Sequence, residues 1–398
     1  MDSDTLRLHV DLTSVNPSSG GVGTVASEIV RGFVVNGERV TCLVSSNAAP
    51  EWGDTLGDLS GVQISPLQIS LPADGRVQSF LRRRMPANLR RSRVVGWVRL
   101  ARSRSVPKLA GAPVTWMPFH RVPPTQQRFV VTVHDLRVFE EGLESKMDQR
   151  ILRSNIENSE AVICSWPHPY QRVLEMFPDA AHKTFLSALP VLKPGSPTQR
   201  TLPADGSVRV LLPAFVTPHK NHEVLVRALA QSPRLQLIFT GTEDAAYAEW
   251  LRSLSDELGV ASRIDWRGFV SDAELENAYA DATILAMPTR WEAASGPIFE
   301  AITRTLPFVA SDIGPIRSQL EMLGLDAPTF DPDDVNALIA GIDEIVADYP
   351  AAVRALEVHA DALLQRTWND TAREYAQVIA WAEGRGSIPS ALRPGVAA

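Results

Sequence analysis

Short β-rich runs alternate with longer helical ones along most of this chain. Leu6 to Leu12 reads as a strand and leads into Gly20-Gly21-Val22-Gly23, after which apolar residues recur at helical spacing from Thr24 to about Asn36. Arg39 to Ser45 is the next strand, with later ones at Phe129 to Val133 and Ala161 to Cys164. The plan then restarts. Strands are predicted at Val208 to Pro213, Leu235 to Thr240, Arg263 to Trp266, Thr283 to Met287 and Pro307 to Ala310. Helices are predicted between them at Glu223 to Ala230, Ala246 to Leu258 and Asp272 to Ala280. Repeated strand, loop and helix units predict doubly wound parallel sheets.

Leu189 to Ser207 is rich in Pro, Gly and Ser, which reads as a linker between the two halves. The predicted division is therefore 1–190 and 191–382, with the last helix returning towards the first domain. A flexible tail is predicted over 383–398, where Gly, Pro and Ala dominate. A length of 398 residues suits two domains better than one core. Paired sheets of this kind imply a cleft facing the carboxyl ends of their strands, where ligands of open α/β sheets bind.

Composition narrows the function classes. A hydrophobic fraction of 44% with 21% charged residues is that of a globular protein, and no apolar run approaches a membrane span. The start lacks the basic and apolar pattern of a secretory signal, so a cytoplasmic location is expected. Cys42 and Cys164 lie in apolar runs without metal-ligand spacing and read as buried free thiols. The net charge of −7 argues against bulk nucleic-acid binding. From Gly75 to His134, however, there are thirteen Lys or Arg and no Asp or Glu, which leaves 26 basic against 46 acidic residues elsewhere. Val94, Trp97, Val98 and Ala101 share one helical stripe among these arginines. Residues 76–108 are thus open to three readings: a solvated basic face, peripheral contact with an anionic membrane at its inner face, or a site for an anionic acceptor.

The segment from Pro288 to Ala301 carries the most chemistry. A strand runs into small residues, and a helix starts near Pro297, where proline costs no hydrogen bond. Free N–H groups and the positive dipole end suit an anion such as a diphosphate. Glu300 lies near that helix start, placed to accept from ligand hydroxyls, and Glu292 stands eight positions earlier. On spacing alone, a solvated Glu292 and a dipole-satisfying Glu300 explain the pair equally well.

Glu292 and Glu300, with Pro297 and Ala301, resemble the Glu, seven residues, Glu motif of glycosyltransferase family 4. Pro213 to Glu223, Arg267 to Ser271, and Ser311 to Pro315 are similar to further stretches of that family, in the same order. The resemblance implies a GT-B architecture, α/β with two Rossmann-like doubly wound domains facing a central cleft. It implies a retaining hexosyltransferase that uses a nucleoside-diphosphate sugar as co-substrate, a hydroxyl acceptor and no metal or other cofactor. By the same resemblance Lys220 binds the donor diphosphate, and Glu300 meets the ribose. Glu292 meets the sugar, and Ser295, Gly296 and Pro297 present their backbone to sugar and phosphates. Val270 reads the base through its main chain, and Gly241 belongs to the donor-binding set.

Val130 to Val133 ends in His134-Asp135, which matches the family's histidine that reaches the donor sugar. Gly20, Gly21 and Gly23 are similar to the glycine loop that lets phosphate or acceptor approach the first domain. Phe215 departs from the pattern, since many members carry arginine there; His219, His222 or Arg290 are the candidate replacements. The His219 to His222 pattern occurs in a subset of the family and points towards mannose-like or deoxyhexose donors in envelope polysaccharide or glycolipid assembly. Asp2-Ser3-Asp4 and Asp331-Pro332-Asp333 have the spacing of a metal-binding Asp pair, but the first precedes any strand and the second reads as a helix cap. The rival readings are a sugar-nucleotide epimerase or glycosyl phosphorylase of the same fold, and a catalytically silent sugar- or nucleotide-binding subunit.

Overall fold

The computed structural model describes residues 7–18, 20–67, 113–122, 124–126, 128–139 and 146–395. They fall into two compact units. One comprises the described residues up to Leu189 together with those from Thr367 onward; the other is Pro190–Arg366. The basic segment 76–108 lies outside the described residues.

In the first unit the strands are β1 (Arg7–Asp11), β2 (Arg39–Ser45), β3 (Val62–Leu67), β4 (Thr115–Met117), β5 (Phe129–Val133), β6 (Ala161–Cys164) and β7 (Thr184–Leu186). All pair in parallel, in the order β3-β2-β1-β4-β5-β6-β7. The central strands are buried throughout, as their unbroken apolar runs require of a sheet covered on both faces. Helices α1 (Gly21–Val35), α2 (Ala49–Leu56), α3 (Lys146–Asn158) and α4 (Pro167–Met176) supply much of that cover.

The second unit repeats the plan with β8 (Val208–Pro213), β9 (Leu235–Thr240), β10 (Ile264–Gly268), β11 (Ile284–Met287), β12 (Phe308–Ser311) and β13 (Thr329–Phe330). These pair in the order β10-β9-β8-β11-β12-β13, again all parallel. Its helices are α5 (His222–Gln231), α6 (Ala245–Glu257), α7 (Asp272–Asp281), α8 (Gly296–Thr303), α9 (Gly314–Leu323), α10 (Val335–Ala347) and α11 (Tyr349–Gln365). Each sheet reverses direction of growth once, between β1 and β4 and between β8 and β11. At such a switch point the loops on either side diverge to opposite faces and leave a crevice.

The structure refines three expectations about organisation. The helix α12 (Trp368–Ala382), the last helix expected to return towards the first domain, belongs with everything after Arg366 to the first unit, so the second domain ends at Arg366 and not at residue 382. The cause is apolar packing: Trp116 of β4 meets Phe33 of α1 edge-on at 5.8 Å and Tyr375 of α12 at 5.3 Å. The Pro-rich stretch 190–207 is laid down on the second unit. Arg200 donates to the carbonyls of Arg304 and Ala282 at 3.0 Å each, and the Gly195 amide donates to Thr303 Oγ1 at 3.1 Å. The tail is likewise tied. Glu383 accepts from the Val114 amide at 3.2 Å, and Tyr170 donates to the Pro394 carbonyl at 3.0 Å. Pro and Gly announce the absence of helix or strand; they say nothing about side-chain anchors contributed from elsewhere.

Candidate functional site

In the second unit the polar groups gather where β8 and β11 end, on the two sides of its switch point. After β8 the chain makes a short turn at Pro218–Lys220. Asn221 then takes a left-handed φ of 57°, ends the turn, and donates its side-chain amide to the Pro332 carbonyl at 2.6 Å. After β11, the loop from Pro288 is stitched to this turn. The Arg290 amide and the Thr289 hydroxyl both donate to the His219 carbonyl, at 2.8 and 3.1 Å, and Arg290 Nη1 donates to the Pro218 carbonyl at 3.0 Å. Backbone bonds therefore set the spacing between the two loops, and across that spacing Lys220 Nζ forms an ion pair with Glu292 Oε2. Both side chains are largely shielded. Lys220 and Glu292, 72 positions apart in sequence, thus belong to one site.

Four residues beyond Glu292 the helix α8 begins, with Ser295 as N-cap and Pro297 in the first turn. A serine at this place ordinarily accepts from the amide two or three residues on, yet Ser295 makes no such bond. Its hydroxyl is buried without a partner among the described residues. A Cβ built on Gly296 would meet nothing within 4 Å, so the space over the helix start is open. One turn in, Glu300 is 8% exposed and its Oε2 accepts from the Tyr279 hydroxyl at 2.8 Å. Burial raises its pKa, while the Tyr279 bond and the Arg304 charge oppose that rise. Glu300, expected from the sequence to meet a ribose, thus already holds one internal partner.

The other donor-side candidates divide. Val270 follows β10 and sits half-buried between the fully exposed Phe269 and a capping box made by Ser271 and Glu274. Gly241, just past β9, has a φ of 121°, and a Cβ there would lie 2.5 Å from the Ala214 carbonyl oxygen. Its lack of a side chain is a packing necessity, which weakens any separate role in ligand contact. Phe215, the departure already visible in the sequence, is 53% exposed and carries no charge. None of its three proposed substitutes stands ready. Arg290 is paired with Asp333, Nδ1 of His219 is bonded to Thr217 Oγ1 at 3.0 Å, and His222 is fully buried.

In the first unit, His134 is the first residue beyond β5, flanked by the residues that follow the neighbouring strands. Its Nε2 lies 2.9 Å from the Pro118 carbonyl after β4, and its Nδ1 lies 3.1 Å from Ser165 Oγ after β6. A carbonyl can only accept, so Nε2 carries the proton and Nδ1 accepts from the serine. Burial first, and then the neighbouring His120, push its pKa down to about 4, so the ring is neutral at pH 7. Both ring nitrogens are engaged within the unit, and a sugar hydroxyl would have to replace the Ser165 or Pro118 bond. Asp135 beside it faces inward. Burial opposes its ionisation, yet bonds and charge from His120 and Arg121 hold its carboxyl well below the usual range. The glycine loop divides as the donor-side set does: the space about Gly20 and Gly21 is open, whereas a Cβ on Gly23 would strike the Asn16 carbonyl oxygen at 2.4 Å.

His222 is a residue whose behaviour the sequence did not disclose. It packs edge-on against Phe239 at 4.8 Å, and neither ring nitrogen has a partner among the described residues. Burial, then the charges of Lys220 and His219, push its pKa from 6.5 down to about 3. A base with a depressed folded pKa stabilises the fold fully above its unfolded value and progressively less as pH falls towards its folded value, because the unfolded chain binds the proton first. Stability should therefore decline from about pH 6.5 downward, with His134 adding the same sign in the first unit. In urea titrations of the whole protein at pH 7 and pH 5, His222→Phe should lose less stability on acidification than the parent. An identical loss in both proteins would clear His222 of responsibility.

Among the described residues no group of three or more His, Cys, Asp or Glu could hold a metal ion, and no helix is long and apolar enough to cross a membrane. Both cysteines are buried, and burial raises both thiols, Cys42 to about 12.

Two doubly wound sheets in tandem, with a cation and an open helix start at the switch point of the second, define a Rossmann-like α/β protein of GT-B type. Residues 199–357, which lie within the second unit, match the family model of glycosyl transferases group 1. The chain is 27% identical over 202 residues to a D-inositol 3-phosphate glycosyltransferase of Mycolicibacterium smegmatis, covering 49% of this chain and 45% of that protein. The chain spans about half the length of the curated relatives it matches. Among solved structures, sucrose-phosphate synthase from Thermosynechococcus elongatus superposes with a TM-score of 0.70 at 19% identity, covering 95% of this chain and 99% of that one. Alr3699/HepE of Anabaena in complex with UDP gives 0.64 at 16% identity, covering 95% and 100%. At these identities the structural likenesses establish the fold.

Proposed function

We propose that the protein is a glycosyltransferase that moves a hexosyl unit from a nucleoside-diphosphate sugar to an acceptor hydroxyl. The observation that carries this reading is the placement of the Lys220 ammonium and the open first turn of α8 on the two loops beside one switch point. Both favour a diphosphate: the ammonium through its charge, the helix start through amides and dipole. The matching family and a structural relative that holds UDP support the same assignment.

In this reading Lys220 exchanges Glu292 for the diphosphate when donor binds. A cation about 4 Å from a phosphate gains roughly 4 kcal/mol at an effective dielectric near 20. The bond from the anomeric carbon to the phosphate oxygen breaks, and Lys220 and the helix start stabilise the departing charge. The acceptor oxygen bonds to that carbon, and its proton passes to a phosphate oxygen of the donor. Glu292, released from Lys220, stabilises the developing positive sugar, and His134 orients sugar hydroxyls. Transfer is proposed to retain anomeric configuration and to need no metal. The readout is thermal unfolding with UDP, GDP and ADP in turn. One of them, at about 100 times its dissociation constant, should add about 2.7 kcal/mol of stability. Indifference to all three nucleotides would remove the donor site from this protein.

A further inference from the structure

We infer that Gln319 is a positioning residue for the diphosphate site: its amide holds the Ser295 backbone so that the first turn of α8 stays uncapped and available to phosphate oxygens. The inference rests on the donor reading above and adds to it a residue from outside the loop.

Gln319 lies on α9, and only 2% of it is exposed. Its Oε1 accepts from the Ser295 amide at 2.8 Å, and its Nε2 donates to the Ser295 carbonyl at 3.0 Å. One planar side chain thus satisfies both backbone groups of a single residue, much as a neighbouring strand would, and fixes Ser295 in an extended conformation with φ −85° and ψ 103°. Ser295 is itself fully buried. Its hydroxyl stands at the helix start without a partner and does not cap the amides of the first turn. A free serine N-cap would turn its oxygen onto one of those amides and occupy the place of an anion. Here Pro297 has no N–H, and the amides of Gly296 and Ile298 have no hydrogen-bond partner among the described residues. With Gly296 opening the space above, the helix start is a donor set held ready rather than assembled on binding. Lys220 approaches the same loop through Glu292. A Gln is needed because one donor and one acceptor must face a backbone amide and carbonyl together; Glu offers only acceptors, and Leu neither.

The test compares the parent, Gln319→Leu and Gln319→Glu in the full chain, by calorimetric titration with UDP and GDP and with the nucleosides uridine and guanosine. For whichever nucleotide the parent binds, both variants should lose at least about tenfold in diphosphate affinity (1.4 kcal/mol per factor of ten) while keeping nucleoside affinity. Loss of nucleoside and diphosphate binding in the same proportion would mark Gln319 as merely structural and overturn the inference, as would unchanged diphosphate affinity. Should Gln319→Leu not fold, Gln319→Glu decides alone, since it keeps the bond to the Ser295 amide. A parent that binds neither of these diphosphates, nor ADP, refutes the donor reading itself. A parent that binds one, beside variants that bind it equally well, refutes only the role of Gln319.

Discussion

Lys220→Ala should reduce turnover by about 10²–10³-fold, the usual consequence of removing a preorganised donor from a developing oxyanion. The side chain is held by Glu292 at the switch point of the second sheet, and the turn that carries it is fixed by backbone bonds that do not involve its ammonium. The fold should therefore survive. Far-ultraviolet circular dichroism and the unfolding midpoint check that, and release of nucleoside diphosphate from donor checks turnover. Lys220→Arg keeps the charge and should retain a measurable part of the activity. Near-normal turnover in Lys220→Ala would reject its assigned role, because among the described residues Phe215 carries no charge and Arg290 is paired with Asp333.

Arg304→Leu should show the largest loss of stability, about 2–4 kcal/mol, in the second unit. Arg304 is 2% exposed and stacks over Tyr279 with 4.5 Å from guanidinium carbon to ring centre. Its Nη1 donates to the carbonyls of Lys193 and Glu300 at 3.0 and 2.9 Å, and the rest of the guanidinium pairs with Glu276. Leucine fills much of the volume but removes the donor to the Lys193 carbonyl, one of two donors to the Glu300 carbonyl, and the partner of Glu276. A functional consequence follows from the same geometry. Arg304's charge opposes the raised pKa of Glu300, so its removal should raise that pKa further and shift the pH dependence of nucleotide binding upward. Urea unfolding measures the first effect and titrations between pH 5 and 8 the second. A variant as stable as the parent would show that the buried guanidinium network contributes little.

The regular elements were legible because they depend on residues close together in the chain. Val208 to Pro213, Leu235 to Thr240, Phe129 to Val133 and Ala161 to Cys164 were located to the residue. Their apolar runs, bounded by turn residues, leave little choice of boundary. The strands not anticipated are of two kinds. Thr115–Met117, Thr184–Leu186 and Thr329–Phe330 are too short to show a period, and Val62–Leu67 is a half-buried edge strand containing Pro66. Edge strands tolerate proline, and their mixed exposure blurs the alternation that marks a central one.

For the site, the sequence by itself determined the helix start at Gly296 and Pro297, the spacing of Glu292 and Glu300, and a lysine after the first strand of the second half. Each is a local matter: small residues, a proline tolerated only in the first helical turn, a strand running into a loop. Which groups satisfy one another was decided only by the tertiary structure. The pairing of Lys220 with Glu292, the clamp of Gln319 on Ser295, the Tyr279 bond to Glu300 and the bracket of Pro118 and Ser165 around His134 each join segments at least 16 residues apart. A buried polar atom must find a partner, but nothing in its own neighbourhood of sequence says which. That is settled by strand order, which sets the ends of β8 and β11 side by side in one sheet and gathers those of β4, β5 and β6 in the other.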